Sequence, residues 1–93
     1  MTKQGRLREA IGQFEQALRI KPDFAEAHNY LGAALMGQGR LQEAIEHYEQ
    51  ALHIKPDSAG AHYNWGVALQ KMGQTEQAME HYQQALRIKP DFA

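Results

Sequence analysis

Residues 16–23 read Gln16-Ala17-Leu18-Arg19-Ile20-Lys21-Pro22-Asp23; the same text returns at 50–57 with one change, His53 for Arg19, and at 84–91 with none. The three prolines, Pro22, Pro56 and Pro90, therefore stand 34 residues apart, each inside a Lys-Pro-Asp triplet. Self-similarity at a period of about 20 to 50 residues is the mark of stacked supersecondary units, each burying its apolar face against the next.

Within one period the apolar residues step by three and four. Leu41, Ala44, Ile45, Tyr48, Ala51 and Leu52 form one helical stripe, and Ala27, His28, Leu31, Ala34 and Leu35 form a shorter one before it. That spacing fits amphipathic helices and excludes the alternation of half-buried strands. Proline disfavours helical geometry in the residue before it, so Lys21, Lys55 and Lys89 are expected to end helices. Gly5, Gly39 and Gly73 share one phase and are expected to supply the turn inside each helix pair. Asp23, three residues before Glu26, has capping-box spacing, and Asp57 or Ser58 can cap the equivalent later helix. Small residues also recur in register: Gly32 with Gly66, and Ala10 with Ala44 and Ala78. They allow a tight helix crossing, so Gly32→Leu or Ala44→Phe is expected to overpack it by about 1 to 3 kcal/mol.

Composition narrows the function classes. The 93 residues hold no cysteine, which excludes a disulfide framework and a thiolate zinc site. A chain of this length buries only about two-thirds of its unfolded surface, so the core is marginal without other support. Ten basic and eleven acidic residues give a formal net charge of −1, which offers no basic footprint for nucleic acid. There is no leader pattern and no run of about 18 apolar residues, so the expectation is no membrane association and a cytoplasmic location.

Three motif registers at constant spacing make the sequence resemble the tetratricopeptide repeat family, whose signature is Trp-x2-Leu-Gly-x2-Tyr, then Ala-x3-Phe, then Pro. The middle unit reads His28-x2-Leu31-Gly32-x2-Leu35, Ala44-x3-Tyr48 and Pro56. The last reads His62-x2-Trp65-Gly66-x2-Leu69, Ala78-x3-Tyr82 and Pro90, and the first keeps only Ala10-x3-Phe14 and Pro22. Histidine replaces the usual tryptophan, leucine the usual tyrosine, and Trp65 an expected leucine. The resemblance implies an all-α fold: a right-handed superhelical stack of antiparallel helix pairs, or α-solenoid. In that frame 1–93 is one domain, with a partial repeat at 1–24 that keeps only its second helix, from about Arg6 to Ile20, and full repeats at 25–58 and 59–92. Ala93 would begin another unit, and neither end would carry a capping helix.

The resemblance further implies a concave groove, lined by the first helix of each pair, that holds a peptide or helical segment of a partner protein. The positions it points to are Glu26, Asn29, Tyr30, Ala33, Met36 and Gly37 in the middle unit, and Gly60, Tyr63, Asn64, Val67, Gln70 and Lys71 in the last. Asparagine suits such a groove because its amide both donates to and accepts from an extended backbone. Tyrosine supplies contact area, and Tyr63 is the better candidate for groove exposure than Tyr30. Trp65, beside Gly66, is expected in the core. Some relatives grip a C-terminal carboxylate with cations, but those positions read Asn29, Ala33 and Gly60 here, leaving Lys71 alone. RNA-binding helical repeats use a different period and a basic groove; this groove carries one lysine and one glutamate.

No cofactor, metal or catalytic group is expected. His28 and His62 share one phase and His47 and His81 another, and equivalent residues in adjacent units lie about 8 to 10 Å or more apart, too far for ligand bonds of about 2 Å. His53 is expected to interact with helix-terminal carbonyls. Ser58 is the only serine, and Glu43, Glu46 and Glu49 fall opposite the apolar stripe. The expected function is therefore a non-enzymatic interaction module. Alternatives are a scaffold that self-assembles by end-to-end stacking as a homo-oligomer, or a segment of a larger protein of the same family.

Overall fold

The computed structural model describes residues 3–91. They form α1 (Lys3–Ile20), α2 (Ala25–Gly37), α3 (Leu41–Ile54), α4 (Ala59–Lys71) and α5 (Thr75–Ile88), with no strand among the described residues. None of the helices is long and apolar enough to cross a membrane. Ala93 and the other terminal residues, on which the expectation of a further unit rests, lie outside the described residues.

The repeated Lys-Pro-Asp triplets terminate the helices as the sequence requires. Lys21, Lys55 and Lys89 each donate a last helical hydrogen bond, to the carbonyls of Ala17, Ala51 and Ala85. The chain then turns through Pro-Asp: Phe24 N–H donates to Lys21 C=O at 3.1 Å, and Ser58 N–H to Lys55 C=O at 3.3 Å. Proline suits the second position of such a turn because its φ is already set.

The tighter turns within each pair depend on glycine. Gly39 and Gly73 have φ of 78° and 81°, where an L side chain is strained. Around Gly39, Arg40 N–H donates to Leu35 C=O and Gly39 N–H to Met36 C=O; Gln74 and Gly73 repeat this with Leu69 and Gln70. Both turns are Schellman closures, which satisfy carbonyls left open at the helix end. Gly5 departs from the expected turn, since it lies inside α1, which begins at Lys3 rather than near Arg6. A Schellman closure needs the end of a helix just upstream. Gly5 follows none among the described residues, and Lys3, Gln4 and Arg6 are good helix formers.

The expected Asp23 cap is also displaced. The residue before α2 is Phe24, with no side-chain cap bond, whereas the equivalent residue before α4 is Ser58, whose Oγ accepts from Ala61 N–H at 3.2 Å. Asp23 and Asp57 occupy the preceding turn, one residue too early to cap. Only the later helix therefore has an oxygen where capping needs one.

Packing follows the small residues. Ala27, Leu31, Ala34 and Leu35 of α2 meet Ala44, Ile45, Tyr48 and Ala51 of α3, all buried. Ala59, Ala61, Ala68 and Leu69 of α4 are buried in the same way, as are Ala78 and Ala85 of α5. Gly32 lies under the Tyr48 ring and Gly66 under the Tyr82 ring, so closely that a Cβ would fall 2.5 and 2.6 Å from the nearest ring carbons. Helix α2 packs on α1 and α3, α4 on α3 and α5, and α2 also touches α4. The second helices α1, α3 and α5 do not reach one another. The stack is therefore tighter on the α2/α4 side, which makes that side concave.

Buried Tyr48 and half-buried Tyr82 differ in a way the repeat explains. Tyr82 donates its hydroxyl to Gln70 Oε1 at 2.8 Å. Tyr48 occupies the same register, but Gln70 is replaced there by Met36, and the Tyr48 hydroxyl is buried without a hydrogen-bond partner among the described residues. Burial drives its ionisation well above the ordinary tyrosine range. An unpaired buried hydroxyl costs about 1 to 3 kcal/mol. Tyr48→Phe is therefore expected to hold or raise the denaturant midpoint, whereas Tyr82→Phe lowers it slightly. A clear loss in Tyr48→Phe would show that the hydroxyl has a partner.

Candidate functional site

The contact between α2 and α4 brings three of the sequence candidates together. Asn29 sits opposite Gly60 and Asn64, which are one turn apart on α4. A Cβ on Gly60 would lie 3.5 Å from Asn29 Nδ2, and Asn64 Nδ2 donates to Asn29 Oδ1 at 3.0 Å. Both asparagines are half-buried. Because 35 residues separate them rather than 34, they hold different positions in their units and can face each other across the inner surface.

The aromatic candidates flank this amide pair, each leaning on a second helix. Tyr30 packs on Phe14 of α1 with ring centroids 5.7 Å apart, and Tyr63 on Tyr82 of α5 at 5.5 Å. Tyr30 is 52% exposed and Tyr63 41%, so the expected order of exposure is reversed. Burial, then the nearby Tyr63, raises the Tyr82 hydroxyl above its ordinary value.

The remaining candidates scatter. Glu26, Gln70 and Lys71 are exposed, and Ala33 and Val67 are half-buried. Met36 is half-buried against the core, and Gly37 turns toward Leu7 of α1 rather than into the groove. Charge on this surface is limited to Glu26 and Lys71 among the candidates.

On the opposite side, where α3 and α5 do not touch, a depression of about 340 Å³ opens over α4. Ile45, Trp65, Leu69 and Met72 form its floor, and Gln42, Gln74, Gln77 and Glu80 its rim. Trp65 is half-buried and stacks on His81 with centroids 4.1 Å apart and planes inclined by 22°. It is thus a core residue with one face open, because an indole fills a position where Leu31 is fully covered in the preceding unit.

Equal phase along the sequence does not bring together two close polar contacts, one inside each helix pair. His28 and His47 belong to different phases and meet across α2 and α3, with Nδ1 atoms 3.1 Å apart; His62 and His81 meet across α4 and α5 at 3.2 Å. The histidines that meet join one phase to the other within a unit, rather than equal phases of adjacent units. A constant separation of 19 residues in both units was the available signal. No group of three or more potential metal ligands converges among the described residues. His53 and the glutamates Glu46 and Glu49 are exposed, and Glu43 pairs with Arg40 at 2.7 Å.

Comparison with known proteins agrees with the architecture. A structure of MamA superposes with a TM-score of 0.85 at 27% identity, over 91% of this chain and 50% of that one. A structure of YrrB, described as a TPR protein with an unusual peptide-binding site, superposes with a TM-score of 0.87 at 28% identity, over 94% of this chain and 45% of that one. The chain thus spans about half the length of these solved structures. No curated protein matches it. Two family models, both described as tetratricopeptide repeat, match residues 3–59 and 35–93. With the five-helix stack and the 34-residue period, those matches establish that the chain belongs to the tetratricopeptide repeat family, whose all-α, right-handed superhelical stack serves as a protein-interaction module.

Proposed function

We propose that the concave surface of α2 and α4 holds an extended peptide segment of a partner protein, with Asn29 and Asn64 gripping its backbone. The observation that carries this reading is the amide pair itself. The hydrogen bond between them orients both side chains and leaves Asn64 Oδ1 to accept and Asn29 Nδ2 to donate. Tyr30 and Tyr63 add apolar area at either side, Val67 and Ala33 form a low floor, and Glu26, Met36, Gln70 and Lys71 complete the border. The peptide-binding site in the description of YrrB supports the same assignment. With one lysine and one glutamate, the surface suits neither a nucleic-acid backbone nor a carboxylate clamp. The module acts by binding in the cytoplasm, without a cofactor and without catalysis of its own.

The test is selection of peptides from a random displayed library, followed by titration against the parent, Asn29→Ala and Asn64→Ala. Removing one amide is expected to weaken binding about tenfold, the equivalent of about 1.4 kcal/mol. Equal affinity in all three proteins would defeat the assignment.

A second reading is favoured by one feature of α5. Met79 and Leu86 are 54% and 48% exposed, although their equivalents are buried at Ile45 and half-buried at Leu52. That apolar face could stack on another copy and form a homo-oligomer. Sedimentation over a range of concentrations tests this, and a monomer at all of them would remove it.

A further inference from the structure

Each helix pair is bridged by two histidines whose rings point at each other. Centroids lie 5.3 Å apart for His28 and His47 and 5.4 Å for His62 and His81, while the Nδ1 atoms are 3.1 and 3.2 Å apart. The separation of about 2.2 Å between these two measures is the width of the two half-rings, so the nitrogens face almost head-on. Such a contact is a hydrogen bond only if one Nδ1 carries a proton and the other does not. With no third ligand converging on either pair, the proton is the species this arrangement is built to take.

The surroundings fix which nitrogen carries it in the first pair. His28 Nε2 lies 3.0 Å from the Pro22 carbonyl, which can only accept. His28 therefore keeps its proton on Nε2, and His47 Nδ1–H donates to His28 Nδ1. Of the four ring nitrogens of a pair, three can be protonated without harm. A fourth proton sets two N–H groups against each other and two positive charges at contact.

We propose that these pairs are proton-operated latches between the two helices of each unit, closed while the facing Nδ1 atoms share one proton and opened when both carry one. All four imidazoles are half-buried, and the recurrence of the contact in both units makes the response common to the whole stack. Around the first pair, Glu15 and Arg19 of α1 line the same depression, and Glu43 and Glu46 lie on α3 itself. Around the second, Glu80 lies on α5, and Glu49 and His53 of α3 hold the register of Glu15 and Arg19. Burial, then His28, lowers the His47 value despite those carboxylates; burial, then His62, lowers His81; burial lowers His62. Imidazoles depressed in the folded state bind protons more readily when unfolded. Stability is therefore full above the ordinary value of about 6.5 and falls as pH drops below it.

The experiment compares melting temperatures of the 93-residue chain and of His47→Gln/His81→Gln at about pH 7.5 and about pH 5. A glutamine oxygen accepts from either a neutral or a charged imidazole, so the variant lacks the facing-proton conflict. The parent is expected to lose about 4 to 8 °C on acidification, and the variant less than half of that; equal losses overturn the proposal. The exposed His53→Gln should leave the parent's loss intact, and abolition of the loss by that change would also overturn it. If the double variant does not fold, nitrogen-detected titration of the parent decides. His47 and His81 are expected to titrate below 6.5 together with a change in Trp65 fluorescence through its stack on His81, whereas independent titration near 6.5 would contradict the latch.

Discussion

Gly12→Ala is expected to raise the melting temperature and Gly32→Ala to lower it, although both glycines lie within helices. Alanine is favoured over glycine inside a helix by about 0.5 to 1 kcal/mol. At Gly12 nothing lies within 4 Å of where a Cβ would be, so that gain is realised in full. At Gly32 the same atom would lie 2.5 Å from Tyr48 Cε1 and 2.9 Å from Cδ1 and Cζ. Tyr48 has no exposed surface and no open side to move into. Overpacking of about 1 to 3 kcal/mol therefore exceeds the propensity gain, and Gly32→Leu falls at or beyond the upper end. In a domain of this size each kcal/mol moves the melting temperature by about 4 to 8 °C. Tyr48→Leu should restore part of the loss in a double-mutant cycle with Gly32→Ala. Gly66→Ala meets the more exposed Tyr82 ring, but also the Ala78 carbonyl at 3.1 Å, which a side-chain movement does not relieve. Parallel melts for Gly12→Ala and Gly32→Ala would refute this description of the crossing.

Ile45→Ala should cost about 2 to 5 kcal/mol, whereas Met79→Ala, at the same position one unit later, should change stability by no more than about 0.5 kcal/mol. Ile45 is 5% exposed because α4 packs over its face of α3; Met79 is 54% exposed because no described helix packs over the equivalent face of α5. A linear stack obtains its stability from interfaces between neighbours, so one side chain has very different effects inside the stack and at its end. Denaturant titrations of the two variants measure the contrast. Similar losses would mean that α5 is covered in solution, and sedimentation of Met79→Ala would then show whether another copy covers it.

The period, the helix pairs and the close crossings were legible in the sequence because each is a local or repeated property. Lys-Pro-Asp ends a helix wherever it stands, and Gly32 and Gly66 mark the crossing by their register. What escaped was specific to one unit or joined residues of different phase. Phe24 and Ser58 hold one register, but only serine carries an oxygen, so capping differs between α2 and α4. Met36 and Gln70 likewise share a register, and only glutamine satisfies its tyrosine. The Asn29 contact with Asn64 and the two histidine pairs join residues of different phase, which a comparison of equivalent positions does not bring together. Glu26, Asn29, Tyr30, Val67 and Lys71 could be placed on the first helices from helical position, but their relative exposure depends on the curvature of the stack.

The central claim is that the inner surface of α2 and α4 is the binding surface. Amide chemical-shift mapping of the 15N-labelled chain with a library-selected peptide tests it most directly. The claim predicts the largest shifts in the side-chain amides of Asn29 and Asn64 and the backbone of Ala33, Val67 and Lys71, with little change at Gln42, Gln74 and Gln77 on the opposite side. Shifts concentrated around those glutamines and Trp65, with the asparagine amides unmoved, would contradict it.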